Sequence, residues 1–111
     1  MTLREARCRF SSLLIDLLSW AKTEGFIFAL DEGTNHQGVG HSPNSLHYSG
    51  CAQDILLYAP DGTYLTNADA YLPLGTKWKS LDPDCRWGGD FPSHDANHFS
   101  FAPKSLFGGR A

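Results

Sequence analysis

The order of elements predicts an α+β fold: a small, mostly antiparallel sheet packed with an N-terminal helix and a short second helix. Three observations carry it. Residues 3–24 bear a helical apolar stripe; residues 50–58 alternate like a strand; and short β-rich runs lie on either side of a weaker helical segment near residue 74. The 111 residues suit a single domain spanning 1–111 with one core. Hydrophobic residues make up 41% and charged residues 19%, a balance that excludes a disordered chain. The formal charge of −3 argues against a nucleic-acid partner, which normally requires a basic face. No apolar run approaches the roughly 20 residues that span a bilayer, so no membrane partner is expected. The first residues, MTLREARCRF, lack the apolar stretch of a signal peptide. Three cysteines without a C-x-x-C pair point away from a disulfide scaffold and from thiolate zinc.

In the first helix, Leu3, Ala6, Phe10, Leu13, Leu14, Leu17 and Ala21 recur at steps of three and four. Thr2 and Glu5 form a capping-box pair, and Gly25 is the stop. Arg4, Arg7 and Arg9 are expected in solvent, with Glu5 and Arg9 spaced as a surface ion pair. GFIFALDEG is the first strand. Residues 33–49 hold Gly, Asn, Ser, Pro and the histidines His36, His41 and His47 without periodicity, the pattern of a functional loop. In GCAQDILLY, Cys51, Gln53, Ile55 and Leu57 share one face and Ala52, Asp54, Leu56 and Tyr58 the other. Asp61-Gly62 signals a turn that returns residues 63–65 as a hairpin. Pro73 sets the start of the second helix near Leu74, and it ends near Leu81. Residues 82–97 read as loop, 98–102 as a last strand and the tail as weakly structured.

The chemistry concentrates around four residues. Asp54 sits on an otherwise apolar strand face, a costly position for an acid unless it is paired or metal-bound. His47 precedes that strand, and Asp95 and His98 stand three apart at the entry to the last one. Two histidines and a carboxylate are a recurrent ligand set for catalytic zinc, and a further carboxylate serves as general base. His94, four residues before His98, is a rival ligand. Cys8 and Cys51 read as buried, inert thiols and Cys85 as a loop thiol; Trp20 and Trp78 read as core residues.

The segment SLHYSGCAQDILLY resembles the S-x-H-x-x-G-x-A-x-D motif of the D-Ala-D-Ala carboxypeptidase-like zinc peptidases, whose fold is the D,D-peptidase/hedgehog type. The likeness is strongest to the phage branch, which includes L-alanyl-D-glutamate endolysins. It continues through DGTYLTNADAYLPLGTKWKSLDPDCRWGGDFPSHDANHFSF and covers roughly residues 5–103. The resemblance implies one Zn²⁺ held by His47, Asp54 and His98, with Asp95 as the catalytic base. It places Ser45 near the substrate and Trp87, Gly88 and Gly89 in a loop that shapes the cleft.

Many relatives carry an arginine ahead of the first ligand. This chain has none between Arg9 and Arg86, and His41 is the candidate replacement for that donor. The implied function is hydrolysis of a bond in the peptidoglycan stem peptide by a monomer. That monomer is made in the host cytoplasm and acts on the wall after release. D-Ala-D-Ala carboxypeptidase activity is the alternative within the fold, and a non-catalytic wall-binding or virion module is the alternative of another class. With no net positive field, long-range attraction to an anionic wall is expected to be weak.

Overall fold

The computed structural model describes residues 1–31 and 49–108. The chain runs α1 (Leu3–Thr23), β1 (Ile27–Asp31), β2 (Ala52–Tyr58), β3 (Tyr64–Leu65), α2 (Ala68–Leu81), β4 (Cys85–Trp87), β5 (His98–Phe101) and α3 (Lys104–Phe107). The fold is α+β. The strands form one antiparallel sheet in the order β1-β2-β5-β4. The short β3 pairs with β2 through Leu57↔Leu65 and Tyr58↔Tyr64, closing the hairpin expected from Asp61-Gly62.

The α1 stripe buries Ala6, Phe10, Leu13, Leu17 and Ala21. Its start is closed reciprocally. The Thr2 N–H donates to Glu5 Oε1 at 2.8 Å and the Glu5 N–H donates to Thr2 Oγ1 at 3.1 Å. These bonds, first that from the Thr2 backbone, hold the Glu5 carboxyl below its usual range. Gly25, at φ 88°, turns the chain out of the helix as expected. Arg9 reaches Asp82 at 3.1 Å rather than Glu5, so the expected local pair gives way to one between α1 and the end of α2. Arg7 is also tied down, its Nε donating to the Ser49 carbonyl at 2.7 Å.

Four local expectations change. The second helix begins at Ala68, six residues before Leu74, with Pro73 inside it. Asn67 caps it by accepting the Ala70 N–H at 3.1 Å. The early start brings Tyr71 onto the same buried face as Leu74 and Trp78, and that burial outweighs the hydrogen bond lost at Pro73. Residues 85–87, read as loop, form β4 against β5 through Cys85↔Phe101, Arg86↔Ser100 and Trp87↔Phe99. The tail contains α3, which buries Phe107. The thiols exchange places: Cys8 lies on the exposed face of α1, whereas Cys85 is buried in β4.

The helices pack against the sheet around Trp78, which is fully buried. Its ring meets Phe10 of α1 at 5.9 Å and Phe99 of β5 at 6.4 Å, both edge-on. Its indole N–H is shared between the carbonyls of Arg86 and Ser100, at 3.0 Å each. Trp20 sits at the margin, partly buried, with Lys77 Nζ 5.8 Å from its ring. Along β2, Gln53, Ile55 and Leu57 are buried while Asp54, Leu56 and Tyr58 are half-buried. The alternation leaves the Asp54 face as the less covered side of the sheet.

Candidate active site

Register brings the site together. Asp54 in β2 is the direct partner of His98 in β5, so the two side chains stand on the same face. His98 Nδ1 and Asp54 Oδ1 are 3.8 Å apart, with 6% and 16% of the respective side chains exposed. That separation is too long for a hydrogen bond. It is slightly wider than the roughly 3.3–3.6 Å between two donors that sit 2.0–2.2 Å from a shared tetrahedral ion. Imidazole nitrogen and carboxylate oxygen are both zinc donors, so the pair fits a metal site in chemistry and comes within a few tenths of an ångström of it in spacing. Among the described residues there is no group of three or more His, Cys, Asp or Glu placed to hold a metal. The third expected ligand, His47, lies outside the described residues, as do Ser45 and His41.

Asp54 has a second cross-strand partner, Asp31 of β1. Asp31, Asp54 and His98 thus follow one another across three strands. Carboxylates facing each other across strands repel, which favours a cation in their vicinity.

Asp95 lies in the turn that leads into β5. Its carbonyl accepts the His98 N–H at 3.1 Å, and its own N–H donates to the Gly88 carbonyl at 2.9 Å. The backbone thereby fixes Asp95 relative to His98. Gly88 makes the approach possible, since a Cβ there would overlap both the Asp95 carbonyl and His98 Cβ. Phe91 packs against the His98 imidazole with centroids 5.4 Å apart and limits its rotation.

Trp87 is 4% exposed, on the helix-facing side of the sheet. Its ring is wedged between Gly75 of α2 and Gly89, where any Cβ would collide with it. The indole N–H donates to the Ala96 carbonyl at 2.7 Å. Trp87 therefore holds the Asp95–His98 turn from the core side. Lys79 braces the same corner, bonded to Asp90 at 2.7 Å and lying 5.7 Å from the Trp87 ring.

His94 occupies the same turn, exposed, with φ 53°. Cys51 faces away from Asp54, into the core, and burial pushes its thiol up. Sequence reasoning missed Gly75 and Phe91: nothing local marks a glycine as the seat of an indole, or a loop phenylalanine as the wall of an imidazole. No protein-family model matches the chain, and no curated protein matches it.

Proposed function

We propose that this protein is a zinc-dependent peptidase of the peptidoglycan stem peptide, cutting the L-Ala–D-Glu bond in the manner of a phage endolysin. The observation that carries the reading is the cross-strand pairing of Asp54 with His98, with Asp95 tethered by its backbone to both Gly88 and His98. Asp54 and His98, with His47 from the segment that precedes β2 in the sequence, are the ligands. When bound, zinc supplies Lewis acidity, polarising the scissile carbonyl and bringing the pKa of water toward about 7. Asp95 takes the proton from the attacking water and passes it to the leaving amine. Phe91 and the Gly88 contact keep the His98 imidazole in place while this happens. Ser45 and His41 are assigned to the substrate, His41 in the role of the absent arginine.

The experiment is Asp95→Asn, assayed on purified sacculi and on a defined muropeptide with products identified by mass spectrometry. Activity should fall by about 10²–10⁴-fold with zinc still bound, the usual contribution of a positioned base. Undiminished lysis by the variant would sink the mechanism. Release of D-alanine instead of cleavage after L-Ala would assign the carboxypeptidase reaction. Stoichiometric wall binding with no new amino groups would assign a binding module.

A further inference from the structure

A cavity of about 190 Å³ opens beside Asp95, between the β3–α2 connection and the turn before β5. Its wall includes Tyr64, Thr66, His94, Asp95 and Asn97, with the Tyr71 ring alongside. It has room for roughly six waters, enough for one small polar residue of a ligand. Among the described residues, no lysine or arginine lines it. Among the described residues, the His94 imidazole, the Thr66 hydroxyl and the Asn97 carboxamide make no hydrogen bond, so these groups are available to a ligand.

His94 is placed there against a local preference. Its φ of 53° lies in the left-handed region, which a glycine would occupy at lower cost. The conformation is held from both sides. The His94 N–H donates to the Phe91 carbonyl at 2.9 Å, and the next N–H, of Asp95, donates to the Gly88 carbonyl at 2.9 Å. The turn needs a left-handed residue, and the one present carries an imidazole into the cavity wall next to a carboxylate.

An acid and an imidazole side by side match a ligand whose amine and carboxylate lie two bonds apart. That is the amino end of an α-amino acid. We propose that this cavity is the subsite for the leaving-side residue, with Asp95 beside its amine and His94 donating to its α-carboxylate. The assignment rests on the peptidase reading for the role of Asp95. It makes His94 a specificity-determining residue that donates to the α-carboxylate, in addition to His41 in the place of the absent arginine. D-Glutamate bonded through its side-chain carboxyl to the rest of the stem keeps that α-carboxylate free, so it satisfies the subsite.

The test is ¹H–¹⁵N NMR titration of the full chain with D-glutamate and, separately, with D-isoglutamine, in which the α-carboxylate is a carboxamide. Two variants, His94→Gly and His94→Asn, preserve the left-handed turn. D-Glutamate should shift Tyr64, Thr66, His94 and Asn97, bind about tenfold or more tightly than D-isoglutamine, and lose that preference in His94→Gly. On the muropeptide, His94→Gly should raise KM with little change in kcat. Absence of shifts at those residues, equal affinity for the two ligands, or a preference that survives in His94→Gly each overturns the subsite. His94-dependent binding without any cleavage of the muropeptide supports the subsite and refutes the peptidase reading alone. Cleavage with KM unchanged in His94→Gly refutes the subsite alone.

Discussion

Tyr71 joins three elements with one hydroxyl. It accepts the Leu57 N–H at 3.1 Å and donates to the Leu65 carbonyl at 2.8 Å, tying α2 to the place where β2 and β3 meet. Burial pushes its hydroxyl up to about 12, and burial likewise pushes the Cys85 thiol up to about 12. Both groups therefore hold their protons more tightly when folded than when unfolded, where they titrate near 10 and 9. Their contribution to stability is complete below pH 9 and is lost as pH rises from 9 to about 12. Thermal melts across that range should show a falling Tm, and Cys85→Ala should flatten the early part of the fall. A melting profile of identical slope in parent and variant would contradict the assignment. Tyr71→Phe should lower stability by about 1–3 kcal/mol at neutral pH, because the buried Leu57 N–H loses its acceptor.

At the scale of elements, α2 controls the Asp95–His98 turn of the candidate site from behind. Gly75 admits the Trp87 ring, and Trp87 in turn grips Ala96, one residue after Asp95. Gly75→Ala should destabilise the fold by about 1–3 kcal/mol, since the new methyl has to displace an indole that is itself wedged against Gly89. Trp87→Phe removes the donor to Ala96 and opens space for that methyl. The double variant should therefore be more stable than the sum of the single effects predicts, by more than about 0.5 kcal/mol. Urea denaturation of the four proteins measures the coupling. Simple additivity would show that α2 and the β4 loop are independent.

At the scale of the whole molecule, the sheet joins two proposed ligands that are 44 positions apart in the chain, Asp54 and His98, by pairing β2 with β5. If the site binds zinc only in the folded state, the metal stabilises the entire fold. The expected gain is about 2.7 kcal/mol at one hundred times Kd. Zinc should raise the Tm of the parent by several degrees, and Asp54→Ala or His98→Ala should abolish most of the rise. Calorimetry with and without a chelator reads the effect directly. A parent Tm that ignores saturating zinc would refute the metal assignment. Among the described residues no helix is long and apolar enough to cross a membrane.

The sequence by itself determined whatever depends on neighbours a few residues away. The α1 stripe, its capping box, the Asp61-Gly62 hairpin and the two faces of β2 all follow from periodicity or from one turn's chemistry. With those two faces came the anomaly of an acid at position 54 on an otherwise apolar face. The tertiary structure decided what depends on contacts across the fold. Pro73 stays inside α2 because Tyr71, Leu74 and Trp78 gain burial against other elements, an energy no local window contains. The three residues of β4 are too few to show a period, and they become a strand through pairing with β5. Cys8 and Cys85 differ in exposure for a related reason. A helix hides only the side that faces the core, and a short strand hides what its partners cover. Only the register of β2 on β5 sets Asp54 opposite His98, and only the glycines at 75, 88 and 89 reveal how closely the surrounding chain must approach to hold Asp95 beside them.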